Sequence, residues 1–87
     1  LGTFSVGQRS FMLGGVRVQA SSEMDGIAMI GLSTRTRIIA VERHGGPVEL
    51  HPHRDSHLQA GDTAYLVGPY RELLETLRRG QARRGPN

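Results

Sequence analysis

The chain has no cysteine, no lysine and no tryptophan, and its aromatic side chains are two Phe and two Tyr. Without cysteine there is neither a disulfide framework nor a thiolate metal site. The cysteine-free composition fits a cytosolic compartment. Long apolar runs are also missing: Ile27 to Leu32 is the longest near-apolar stretch, far short of the ~20 residues that cross a bilayer. This piece is therefore expected to be soluble. No charged n-region is followed by an apolar core, so no signal peptide is expected, and a start at Leu1 rather than Met leads us to expect a segment of a longer protein.

With 87 residues the chain is one domain, and a domain of this size buries only ~60% of its unfolded surface. A partner or a second copy would add to its thin core. Eleven arginines against eight acids give a net charge of +3. Arginine favours planar, bidentate pairing with carboxylate or phosphate. The pairs Arg78-Arg79 and Arg83-Arg84 cluster only at the tail, and no aromatic is interleaved with them. A nucleic-acid surface normally combines both features, so no nucleic-acid partner is expected, and a basic nucleic-acid-binding domain is the last-ranked alternative function.

Residues 1–9 read as a linker with two apolar anchors, Phe4 and Val6. The domain itself is expected over 10–80. Phe11 and Leu13, then Val16, Val18 and Ala20, alternate as in a strand, and the Gly14-Gly15 pair between them predicts a bulge or a close approach. Asp25 then reads as the N-cap of a short helix carrying Ile27, Met29 and Ile30. Gly26 and Gly31 have the spacing of a phosphate-binding loop, but Leu32 stands where its lysine must be.

Ile38 to Val41 forms an apolar run bounded by charge, which predicts a strand buried on both faces. His44-Gly45-Gly46 turns the chain back into a strand on which Val48, Leu50 and Pro52 share one face and Glu49, His51 and His53 the other. Leu58 to Asp62 is a turn into a last strand, 63–68. Pro69 opens a helix whose Tyr70, Leu73, Leu74 and Leu77 repeat at helical period. Glu75 is placed to pair with Arg78 or Arg79, Gly80 reads as the C′ stop, and 81–87 as a disordered tail.

Two site readings follow from the residues alone. His51, His53 and His57, with Asp55 between, could supply ligands to zinc or another transition metal, or could be surface histidines with no such role. No nucleophile elbow, catalytic triad or paired acids are evident, and no catalytic residue is expected. The fold expected is α+β, a small sheet of about four strands with a short helix after the first strand and a C-terminal helix.

In that order, Met24-Asp25-Gly26, the strand Arg37 to Arg43, the turn His44-Gly45-Gly46, Pro52, the Leu58-Gln-Ala-Gly61-Asp62 turn and Tyr65-Leu-Val-Gly68-Pro69 resemble the TrkA-C domain, or RCK C-terminal domain. The resemblance spans about Phe11 to Arg79. It implies a non-enzymatic, dimeric regulatory domain of a potassium or other cation channel or transporter. Such domains lie at the inner face of the membrane and follow a Rossmann-type TrkA-N domain. No G-x-G-x-x-G follows a strand here, so no nucleotide cofactor is assigned to this segment. A small effector such as cyclic di-AMP is implied at a dimer cleft, with Arg37, Ile38, Ile39, Pro52, His53 and Arg54 as the candidate contacts. Arg37 or Arg54 would pair with phosphate, and Ile38 or Ile39 would meet a base, unless these isoleucines serve only the core or the dimer interface.

Overall fold

The computed structural model describes residues 2–29 and 35–81. Among the described residues it is an α+β fold of one five-stranded antiparallel sheet and one C-terminal α-helix. The strands are β1 (Gly2–Val6), β2 (Arg9–Arg17), β3 (Arg37–Glu42), β4 (Val48–Leu50) and β5 (Thr63–Gly68), in the order β1-β2-β5-β3-β4, and α1 (Tyr70–Gln81) follows. No helix among the described residues is long and apolar enough to cross a membrane.

Period-two alternation decides which side chains meet the helix. Val16, Val41, Ala64 and Leu66 point toward α1 and are buried together with Val18, Met24, Leu58 and Leu73. The opposite face keeps Leu13, Val48 and Leu50 exposed, with Tyr65 half-buried among them. Gly15 lies on that face directly under the Tyr65 ring: a Cβ there would be 3.1 Å from the ring carbons. The expected close approach at Gly14-Gly15 is thus an aromatic ring laid over a glycine. β2 and β5 pair without a register shift; the bulge falls instead in β3, between Ile38 and Ala40. That extra residue explains the unbroken apolar run, because it resets the alternation so that Ile38 and Val41 both reach the inner face. Of the run, Ala40 and Val41 are buried, while Ile38 and Ile39 are half-buried.

Several expectations are corrected. Five strands form rather than four, because Gly2–Val6, read as linker, pairs with β2 from Gly2↔Leu13 to Val6↔Arg9. All five of its residues are exposed. A two-residue loop, Gly7-Gln8, joins these strands, and Gly7 sits at φ +63°, the signature of a type II′ turn with glycine first. Residues 25–28 are turns and an isolated bridge, Met29 has 3₁₀ conformation, and the rest of the expected short helix falls outside the described residues. Backbone bonds tie 26–29 to the 56–58 segment: Gly26 N to Leu58 O, Leu58 N to Ile27 O and Met29 N to Ser56 O. Asp25 is not an N-cap. Its carboxylate accepts from Ser21 N (3.0 Å) and from Ala60 N (3.1 Å), stapling two loops 35 residues apart. Ile30 and Gly31 lie outside the described residues.

Leu73 N donates to Pro69 O at 2.9 Å, so α1 starts where proline predicts. Its buried side is Leu73, Thr76 and Gly80, with Leu77 half-buried; Tyr70 stays 56% exposed and is not part of the packing stripe. Gly80 does not stop the helix. It is a buried contact point, since a Cβ there would sit 2.7 Å from Met24 Sδ and 2.9 Å from Val16 Cγ2. The Gly80 carbonyl accepts from Gln19 N at 2.9 Å, which ties this last turn to the end of β2. Arg79 reaches Glu23 Oε1 at 3.4 Å, a link from helix to loop rather than the expected pairing with Glu75. Of the expected tail only Gln81 is among the described residues, and it belongs to α1.

Candidate functional site

The corner where β3 begins and β4 ends holds the residues singled out from the sequence. β3 and β4 pair Ala40↔Leu50, Val41↔Glu49 and Glu42↔Val48. The ladder continues one step further, His51 N donating to Ile39 O at 3.1 Å. Arg37 and Ile38 lie on one side of that bond and Pro52, His53 and Arg54 on the other, so the six candidates derive from the same corner of the sheet. Arg37, His53 and Arg54 are exposed, while Ile38, Ile39 and Pro52 are half-buried. Arg37, opposite Val67, points to the face away from α1, whereas Ile38, opposite Leu66, points inward and packs on the core, so the corner presents two exposed guanidinium groups with half-buried Ile39 and Pro52. Such a set can take an anionic ligand that also has an apolar or aromatic part.

β4 ends at Leu50 because His51 adopts φ +53°. This left-handed conformation is uncommon for a residue with a side chain and costs about 1–2 kcal/mol. It overturns the expectation that His51 and His53 share one strand face. The His53 ring turns inward on its own loop: Nδ1 accepts from Asp55 N at 3.2 Å, and the Asp55 carboxylate lies 3.7 Å from the same nitrogen. The two contacts belong to different protonation states, since a protonated Nδ1 cannot accept. His57 is held elsewhere, with Nδ1 2.9 Å from Gly26 O and its backbone bridged to Ala28. Among the described residues no group of three or more His, Asp or Glu side chains is placed to hold a metal ion. The proposed ligand string His51, His53 and His57 is not brought together.

At the other end of β3, where it turns into β4, the turns are fixed by a charged network. Arg43 closes β3 and donates through Nη1 to Asp62 Oδ2 at 2.8 Å and to His57 O at 2.8 Å, and through Nε to Glu49 Oε2 at 3.1 Å. Asp62 also accepts from His44 N at 3.0 Å and Gln59 N at 2.9 Å. Its side chain is only 4% exposed. Burial by itself would raise the Asp62 pKa, but the His44 and Gln59 amides and the Arg43 guanidinium outweigh it and hold the carboxyl below its ordinary range. The same pairings, with Glu49 first, raise the Arg43 pKa against the effect of burial. Gly61, at φ +93°, brings the chain against the His44 ring, where a Cβ would come within 2.9 Å. From sequence the Leu58 to Asp62 stretch is recognisable as a turn. Its role as the acceptor that locks the β3–β4 turn to the start of β5 was not predicted, although a buried Asp after a turn glycine and a basic residue closing a strand are the signals that point to it.

Comparison of the chain with protein-family models and with curated proteins finds no match.

Proposed function

We propose that this domain is a dimerising, effector-sensing regulatory domain of a potassium or other cation transport system, acting at the cytoplasmic side of the membrane beside a Rossmann-type partner domain. It works without catalysis. The observation that carries the reading is the β3–β4 corner, where the bond from His51 N to Ile39 O gathers exposed Arg37 and Arg54 with half-buried Ile39 and Pro52, while Ile38 packs inward on the core. The order of strand, glycine turn, proline and Gly-Asp turn, similar to TrkA-C domains, supports it. A phosphate-bearing effector with a base, of the cyclic di-AMP kind, matches that chemistry: guanidinium for phosphate, aliphatic surface for the base. Binding in a cleft between two copies would favour one arrangement of the pair over another, and the transporter would read that shift.

Titration of the purified protein with cyclic di-AMP by calorimetry tests the effector. Binding is expected to saturate in the micromolar range, and Arg37→Ala is expected to weaken it about tenfold or more, the worth of a lost charge-assisted pair. No heat at high micromolar ligand would remove cyclic di-AMP as the effector.

A further inference from the structure

The two edges of the sheet are built differently. β4 is three residues long, carries Glu49 and ends at the left-handed His51. Shortness, charge and an abrupt end are the features that keep an edge from pairing with other strands. β1 has none of them. Gly2–Val6 is Gly-Thr-Phe-Ser-Val, without charge or proline, and it pairs with β2 in unbroken register. Among the described residues no strand lies on its other side. Its row of outward amide and carbonyl groups is a template for another strand.

The side chains of β1 add a reason for a particular partner. Phe4 is 45% exposed and Val6 61% exposed. Both share the face that carries Phe11 and Leu13, and the Phe4 ring stacks on Phe11 with centroids 5.8 Å apart. We propose that β1 is a self-association strand, which pairs antiparallel with β1 of a second copy so that Phe4 faces Phe4 across the two-fold axis.

In this register Thr3 lies opposite Ser5 of the other copy and Gly2 opposite Val6, so all five residues are paired. The intrachain Phe4–Phe11 stack becomes a row of four rings, Phe11, Phe4, Phe4 and Phe11, on one face of a ten-stranded sheet. Aromatic pairs directly opposite across antiparallel strands are among the favourable ones. On the other face, the hydroxyls of Thr3 and Ser5 meet. The pairing sets no like charges opposite one another, which matters for a chain whose net charge is +3. A second copy is the occupant that the sequence fits by symmetry: an antiparallel pair of identical strands is isologous, and an uncharged, apolar-centred strand is its own complement. β1 lies at the opposite end of the sheet from the β3–β4 corner, so this contact does not rest on the regulatory reading and is an interface separate from the one that would form the effector cleft.

Sedimentation of the full chain over micromolar to millimolar concentrations tests the proposal, with Phe4→Lys and Phe4→Tyr alongside. Phe4→Lys places two ammonium groups face to face and removes the stack, and is expected to weaken association about tenfold or more, whereas Phe4→Tyr retains it. A second measurement does not disturb Phe4. Because the chain has no cysteine, Thr3→Cys and Ser5→Cys proteins can be mixed in equal amounts under mild oxidation, and the mixed disulfide is expected in clear excess over the half of the disulfide-linked product that random pairing would give. A monomer throughout the concentration range, or a mixture in which the mixed disulfide is not in excess, overturns the proposal. So does a dimer unaffected by Phe4→Lys, but that result leaves the effector reading standing.

Discussion

Asp62→Asn is expected to destabilise the domain by about 3 kcal/mol, the range found when one partner of a buried, hydrogen-bonded pair is removed. The substitution is nearly isosteric, so the cost comes from polarity rather than volume. Oδ1 accepts from His44 N, and Oδ2 accepts from Gln59 N and Arg43 Nη1. An asparagine in either amide orientation aims its NH2 at a donor: toward His44 N in one, toward Gln59 N and Arg43 in the other. At least one buried N–H then loses its acceptor, which costs about 1–3 kcal/mol by itself, and Arg43 loses its buried counter-charge. Glu49→Ala, at the other end of the same guanidinium, removes a partner whose side chain is 41% exposed, and an exposed pair of that kind is worth about 1 kcal/mol or less. Urea denaturation of the two variants should therefore separate them clearly.

The same carboxylate sets an acid limit on stability. Its folded pKa is depressed below the unfolded value, near ~3.9 for aspartate. The stabilisation is fully present above that unfolded value and is lost as the pH falls through the folded one. Stability measured from pH 6 downward should decline more steeply in the wild type than in Asp62→Asn over this acid range, the two curves converging at the lowest pH. The raised pKa of Arg43 works on the opposite flank, its contribution being complete at every pH below the unfolded arginine value.

Gly80→Ala is the second substitution with a large expected effect, and two principles disagree about its sign. In an exposed helix interior the change would stabilise by about 1 kcal/mol. Here the new methyl would meet Met24 Sδ at 2.7 Å and Val16 Cγ2 at 2.9 Å. Met24 and Val16 are both core residues. Met24 can adjust because its side chain is flexible, but Val16 is β-branched and has little rotameric freedom. Overpacking of this kind costs about 1–3 kcal/mol, and moving α1 away would also stretch the bond from Gln19 N to Gly80 O. A net loss of about 2 kcal/mol is expected, seen as a fall in the thermal midpoint. An unchanged or higher midpoint would mean that α1 does not sit this close to β2.

What could be read from the sequence depended on whether the determining interaction was local. The His44-Gly45-Gly46 turn, the Gly61-Asp62 corner and the start of α1 after Pro69 are set by residues adjacent in the chain, and each appears where expected. Asp25 has the right neighbours for an N-cap, yet its carboxylate is used by Ser21 and by Ala60, 35 positions away. Gly80 has the right place for a helix stop, yet its bare Cα is needed for contact with Val16 and Met24. β1 was legible in principle, since Gly7-Gln8 is a two-residue turn between alternating segments. Its few apolar side chains gave it the look of a linker, and its exposure is the physical counterpart of that impression. At the candidate site, the strand pairing brings Ile39 to His51 and so gathers the six residues, whereas the histidine spacing misleads because the left-handed His51 ends the strand on which that spacing would have acted.

The central claim, that the β3–β4 corner receives a phosphate-bearing effector, is tested most directly by amide chemical-shift mapping during addition of cyclic di-AMP to the full chain. The account predicts saturable shifts concentrated at residues 37–41 and 51–54, absent or much reduced in Arg37→Ala. Shifts that stay unsaturated, or that gather on α1 and leave the corner unmoved, would contradict it.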